Sequence, residues 1–93
     1  IRKALKYDPG RPAIVDSLGW VLFKLGRHEE ALVELESAYT MMKDHEVAAH
    51  IIETLVALDR RDEALERLLA AEVLTPDSEL LRDVRERLFP DAR

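Results

Sequence analysis

Apolar residues recur along the chain at helical spacing, in five successive runs separated by polar breaks. The first run, Ile14, Leu18, Leu22 and Leu25, follows Pro12 and stops at Gly26, a pattern that predicts an amphipathic helix. The later runs are Ala31, Leu32, Leu35, Ala38 and Tyr39; Val47, Ile51, Ile52, Leu55 and Leu58; Ala64, Leu65, Leu68, Ala71 and Leu74; and Leu80, Leu81, Val84 and Leu88. No strand pattern is present, so the sequence predicts an all-α fold.

Polar residues at the breaks predict where the helices begin and end. Glu29 and Glu30 lie at a helix start, where the helix dipole favours acids, and Asp44 is a favourable N-cap. Asp59 is expected in a turn, and Pro76 prevents continuation of the fourth helix. We therefore expect helices over about 12–25, 28–42, 45–58, 62–75 and 77–89.

The second pair of helices repeats the first at a spacing of 33 residues. The matched pairs are Leu18 and Ile51, Leu22 and Leu55, Leu25 and Leu58, Ala31 and Ala64, Leu35 and Leu68, and Ala38 and Ala71. A period of 33 to 34 residues with two helices per unit is typical of solenoid proteins. The internal repeat therefore predicts helix hairpins that stack on one another.

The segment SLGWVLFKLGRHEEALVELESAY resembles a tetratricopeptide repeat (TPR). The positions that carry the resemblance are Leu18, Gly19, Gly26, Ala31, Leu35 and Ala38, with Pro9 and Pro76 as the repeat-closing prolines. Small residues such as Gly19 are expected where two helices cross closely. In the second repeat Ile52 replaces the small residue and Asp59 replaces the turn glycine, so we expect the second hairpin to be somewhat splayed.

The resemblance implies antiparallel helix-hairpin repeats stacked as a short TPR α-solenoid with a C-terminal capping helix. Residues 1–93 then form one domain: 1–9 as the last helix of a preceding repeat, 12–43 as repeat one, 44–76 as repeat two and 77–89 as the capping helix. The start at Ile1 and a likeness to the C-terminal repeats of long bacterial TPR proteins suggest a fragment of a larger protein. Some of those proteins are tied to the cell envelope, and the compartment stays open between cytoplasm and periplasm or envelope.

Composition and charge narrow the class of partner. The chain has 14 basic and 19 acidic residues, a net charge of −5, and residues of the two signs are interspersed along it. This charge distribution argues against a nucleic acid as the partner. There is no cysteine, so disulfides and thiolate chemistry are excluded. No apolar run approaches the length needed to cross a bilayer, so direct membrane insertion is not expected.

Candidate catalytic and metal-binding residues do not form a recognisable pattern. HEVAAH resembles the zinc motif HExxH, but His45 and His50 are five residues apart and would point roughly 140° away from each other on a helix. We interpret the histidines as solvated or lightly packed. Serines 17, 37 and 78 lack a nucleophile elbow, and no glycine-rich loop is present. We therefore predict no enzyme activity, no metal and no cofactor.

The resemblance implies that the first helix of each repeat lines a groove that receives a peptide or a partner helix. The predicted groove residues are Asp16, Trp20, Phe23, Lys24, Ala49, Glu53 and Val56. This set lacks the Lys, Asn and Arg of the carboxylate-clamp TPRs, which argues against chaperone tails as the ligand. Trp20 and Phe23 are candidate interface anchors, although Trp20 could instead cover the preceding hairpin.

Two functions follow from this pattern. The first is a non-catalytic protein–protein interaction scaffold that binds a peptide or partner segment in this groove. The alternative is a structural self-association module, in which the aromatic side and an open N-terminal end join copies of the chain into a homo-oligomer.

Overall fold

The computed structural model describes residues 11–92, and over this range the chain is all-helical with no strand. The helices are α1 Pro12–Lys24, α2 His28–Met41, α3 His45–Ala57, α4 Arg61–Leu74 and α5 Glu79–Leu88. Each predicted helix is therefore confirmed to within one or two residues, and the helix predicted for 1–9 lies outside the described residues. Among the described helices, none combines the length and apolar character needed to span a bilayer.

Both hairpin turns are closed by the same backbone geometry. Gly26 has φ 80° and Asp59 has φ 62°, so each occupies the left-handed region just after a helix. In both turns the next N–H donates to the carbonyl five residues earlier, at 2.9 and 2.8 Å. This is the hydrogen bond that closes a helix with a Schellman motif. Glycine adopts this conformation without steric cost, whereas Asp59 does so with strain.

The N-terminal caps differ from the expectation. Asp44 occupies the N-cap position of α3, but its carboxylate accepts no capping hydrogen bond. Ser78 caps α5, where its Oγ accepts a hydrogen bond of 3.1 Å from the Leu81 N–H. The last helix therefore begins at Glu79, two residues later than the predicted start, because the serine side chain satisfies an N–H of the first turn.

The first hairpin depends on a close approach at Gly19. A Cβ atom at this position would lie 2.7 Å from both Cγ and Cδ2 of Leu35, and 3.4 Å from the carbonyl oxygen of Ala31. Two carbon atoms normally pack about 3.5–4.0 Å apart, so there is no room for a side chain. The interpretation of Gly19 as a helix-crossing point is confirmed.

Helix α3 is the centre of the molecule. It contacts each of the other four described helices, with α1 on one side and α5 on the other. Its buried residues are Val47, Ala48, Ala49, Ile51, Ile52, Thr54 and Leu55. One apolar cluster runs through it from Val15 to Phe89. This arrangement is consistent with a helical repeat.

The apolar side of α1 is rotated from the predicted one. Val15 is fully buried with Leu18 and Leu22, whereas Ile14 and Leu25 are 37% and 57% exposed. The prediction that Ile14 and Leu25 belong to the core is wrong, because α1 packs against both α2 and α3 and Val15 lies between them. α3 and α4 pack together less extensively than α1 and α2, and the fully buried Ile52 stands where the first hairpin has Gly19.

Two bidentate ion pairs join different helices. Arg67 of α4 donates to both carboxylate oxygens of Glu36 on α2, at 2.7 and 2.8 Å. Arg85 of α5 donates to Glu72 of α4 at 2.8 and 2.6 Å. These hydrogen bonds to carboxylates raise the pKa of both arginines.

Candidate functional site

A row of rings crosses the surface formed by the first helices of the two hairpins, which we call the α1/α3 face. Trp20 stacks on Phe23 with 4.6 Å between ring centroids and 7° between planes. Trp20 also stacks on His50 of α3, at 4.2 Å and 18°. His28 continues the row beyond Phe23, with centroids 4.8 Å apart and a 50° tilt. The ring row therefore joins α1 to both α2 and α3.

Helix periodicity explains why α1 presents these side chains together. Residues three or four positions apart lie on the same side of a helix, as Asp16, Trp20, Phe23 and Lys24 do. The Lys24 ammonium lies 5.3 Å from the centre of the Trp20 ring, within the range of a cation–π contact. His50 reaches the same place from α3 because it follows Asp16 by 34 residues, close to one repeat period.

The ring row ends in a hydrogen bond between His50 and Asp16. The His50 Nδ1 atom lies 2.8 Å from Asp16 Oδ1, and the two side chains are only 19% and 13% exposed. A carboxylate can only accept, so Nδ1 is the donor. The contact between α1 and α3 is thus polar at Asp16 and aromatic at Trp20, and it holds the imidazole of His50 in a fixed orientation.

The structure brings together four of the seven predicted groove residues: Asp16, Trp20, Phe23 and Lys24. Asp16 is largely buried by its contact with His50, while Trp20 and Phe23 are partly exposed and Lys24 is exposed. Trp20 lies against its neighbours on α1 and α3, so its ring is already partly covered. This placement leaves the edge of the row, rather than a free indole face, available to solvent.

The three predicted residues of α3 have different surroundings. Ala49 is only 2% exposed, so the prediction that it faces outward is wrong; α3 is rotated such that its neighbour His50 takes the outward position. Glu53 is bound by Arg87 of α5 at 3.1 Å. Val56 is half-buried against the main core. The predicted groove residues of α3 are therefore less available to a partner than those of α1.

The residue of the α1/α3 face that the sequence analysis missed is His50. The interpretation of the histidines as solvated or lightly packed is wrong for this residue, which is both stacked and hydrogen-bonded. His45 fits that interpretation, since its side chain is 38% exposed, although its Nδ1 atom lies 2.5 Å from the Oγ atom of Ser78. The spacing of 34 residues between Asp16 and His50 was the available signal.

Asp44, His45 and Ser78 superficially resemble a catalytic triad. The Asp44 Oδ1 atom lies 3.9 Å from His45 Nε2, too far for a hydrogen bond. The Ser78 hydroxyl is buried and already accepts from the Leu81 N–H. These contacts describe a helix cap whose hydroxyl also forms a hydrogen bond with His45. In the part of the chain that the structure describes, no three metal-ligating side chains are grouped together.

The chain is similar in sequence to a known protein. Over 51 residues, 55% of this chain, the sequence is 45% identical to a TPR repeat-containing protein of Pseudomonas aeruginosa. This chain is related to a TPR protein. It spans 9% of that relative's length. Neither a protein-family model nor a solved structure matches the chain.

The TPR relationship accounts for features already seen in the fold. It explains the spacing of about 33 residues, the close crossing at Gly19 and the pairing of α1 with α2 and of α3 with α4. The bacterial relative also fits the bacterial origin indicated by the sequence.

Proposed function

We propose that the chain is a non-catalytic interaction scaffold whose α1/α3 face binds a peptide or partner segment, with its hairpins stacked as a short solenoid. The ring row is the observation that carries this proposal, because it places partly exposed aromatic rings across two repeats. Tryptophan is enriched among residues that dominate binding energy at protein interfaces. The TPR relative supports a protein partner without indicating which one.

Rigidity of the ring row favours binding. Trp20 is held by Phe23 and His50, so little rotamer freedom remains to be lost when a partner arrives. Lys24 adds a cation beside the Trp20 ring, and Asp16 adds an acid at the end of the row. A face with fixed rings and both charge signs suits an extended segment lying across both helices.

Selection of short random peptides displayed on phage tests this proposal directly. Peptides are selected on the wild-type protein and then measured against Trp20→Ala and against a control, Val73→Ala. Val73 is 79% exposed on α4, away from the ring row. We expect Trp20→Ala to weaken binding about 10-fold or more and Val73→Ala to leave it unchanged. Peptides that bind both variants as tightly as the wild type would contradict the proposal.

Trp20→Ala must also be checked for folding, because the structure shows that its ring touches two neighbours. Each aromatic contact contributes about 0.5–1.5 kcal/mol, so a modest loss of stability is expected without unfolding. Circular dichroism and thermal melting separate lost binding from lost structure.

Self-association is the second candidate function. Ile14, Val21 and Leu25 of α1 are 37%, 44% and 57% exposed, which is an apolar set that another copy of the chain would cover. Light scattering over a concentration series tests this, with Leu25→Glu as the disrupting variant. A strict monomer at all concentrations would remove this candidate.

A further inference from the structure

We propose that the Nε2 atom of His50 is a binding atom of the α1/α3 face, where it accepts a hydrogen bond from a backbone N–H of a basic, extended peptide segment. The inference rests on the proposed function and names both the binding atom and the chemistry of its partner. Three features carry it: the protonation of the ring, the accessibility of Nε2 and the charges around it.

The hydrogen bond to Asp16 determines which nitrogen carries the proton. Nδ1 lies 2.8 Å from the Asp16 carboxylate and must donate to it. A neutral imidazole with its proton on Nδ1 has a lone pair on Nε2, which is therefore an acceptor. Asp16 is a positioning residue in this arrangement, since it fixes the tautomer and the plane of the ring.

Within residues 11–92, the Nε2 atom of His50 has no hydrogen-bond partner. Its ring contacts Asp16 through Nδ1 and Trp20 through its face. Every fully buried side-chain nitrogen or oxygen in this range has a partner, so Nε2 is at least partly open to solvent. It is thus an unpaired acceptor on a ring that Asp16 and Trp20 hold in place.

The surroundings of Asp16 favour a basic partner. A cavity of about 160 Å³ beside it is lined by three carboxylates, those of Asp16, Asp44 and Glu46, together with the apolar side chains of Met42 and Val47. The whole chain has a net charge of −5. Lys24 lies toward the Trp20 ring, so we expect the basic residues of the segment to lie at the Asp16 end of the row.

Two substitutions separate the roles of the two ring nitrogens. His50→Asn keeps an N–H donor where Nδ1 lies and so retains the contact with Asp16, but it has no atom at the position of Nε2. His50→Gln loses the Asp16 contact but can place an amide oxygen, an acceptor, near the position of Nε2. We expect His50→Asn to weaken selected peptides about 2- to 12-fold, the range for one neutral hydrogen bond, and His50→Gln to weaken them less.

Methylation of a backbone nitrogen in the peptide removes the proposed hydrogen bond from the partner's side, as His50→Asn removes it from the protein's side. The probes are the Trp20-dependent peptides selected above, methylated one amide at a time. At one position of the peptide, methylation should weaken binding to the wild type by about the same factor as His50→Asn does. The same methylation should weaken binding to the His50→Asn protein little further, because the hydrogen bond is already absent there. A structural role of His50 would give no such coupling, because both proteins would respond alike to every methylated peptide.

The outcomes distinguish this inference from the proposed function. Failure to obtain Trp20-dependent peptides would overturn both. Trp20-dependent peptides that are acidic, or that show no methylation coupled to His50→Asn, would overturn the inference and leave the scaffold proposal standing. A concentration-dependent dimer abolished by His50→Asn would mean that a second copy of the chain occupies the face, which also overturns the inference. Basic selected peptides with one coupled amide support it.

Discussion

Replacement of Gly19 by alanine tests the close helix crossing on which the first hairpin depends. The added methyl group would lie 2.7 Å from two carbon atoms of Leu35, about 1 Å closer than ordinary packing allows. Overpacking of this kind costs about 1–3 kcal/mol. Alanine is favoured over glycine within a helix by about 1 kcal/mol, which offsets part of the cost. We expect a net loss of about 1 kcal/mol in the free energy of unfolding.

The measurement is urea unfolding followed by circular dichroism, compared with two further variants. Ala70→Gly, at an exposed position inside α4, measures the helix-propensity contribution without any change in packing. Leu35→Ala removes both carbon atoms that the new methyl group would meet. In the Leu35→Ala protein, Gly19→Ala should therefore stabilise, by about 0.5–1 kcal/mol, because only the propensity gain remains.

This reversal of sign is the decisive result. If Gly19→Ala stabilises the wild type by as much as Ala70→Gly destabilises it, there is room at the crossing and the close approach to Leu35 is wrong. If Gly19→Ala destabilises both the wild type and the Leu35→Ala protein equally, the strain lies elsewhere than at Leu35. Either outcome would refute the packing argument for the first hairpin.

Three further changes test other parts of the fold. Asp59→Gly should raise the free energy of unfolding by about 0.5 kcal/mol in urea titrations, because glycine relieves the strain at φ 62°. Ser78→Ala should lower it by about 0.5–2 kcal/mol, since it removes the cap of α5 and the partner of His45. Arg67→Lys should cost up to about 1 kcal/mol by loss of the bidentate contact, and should cost nothing once Glu36→Gln has removed its partner.

The helices and the first crossing could be predicted because they follow from local rules. Apolar spacing marked each helix, and a glycine opposite Leu35 in a repeat unit indicated where two helices meet. The rotation of α1 about its axis was harder to predict, because Ile14 and Val15 are adjacent apolar residues and periodicity alone favours neither as the buried one. Contact with α3, which is distant in the sequence, buries Val15 rather than Ile14.

The hydrogen bond between Asp16 and His50 was not predicted, because it too depends on contact between α1 and α3. Asp16 and His50 are ordinary surface residues when each helix is considered alone, and their pairing arises only when α1 and α3 lie side by side. The repeat spacing of 33 residues pairs Asp16 with Ala49, whereas His50 follows Asp16 by 34 residues. The face of α3 was misassigned by a single residue, which placed Ala49 outward in place of His50.

The position of His50 has a consequence for how a partner would act on this protein. Its contacts with Asp16 and Trp20 cross the boundary between the two repeats, so they form only when α1 and α3 are stacked. A segment that binds the ring row and Nε2 binds this stacked arrangement and not a separated one. By mass action, binding of this segment then stabilises the contact between the repeats. The stabilisation grows as the concentration of the segment rises above its dissociation constant. Partner binding and the rigidity of the helix stack are therefore linked through the same two contacts.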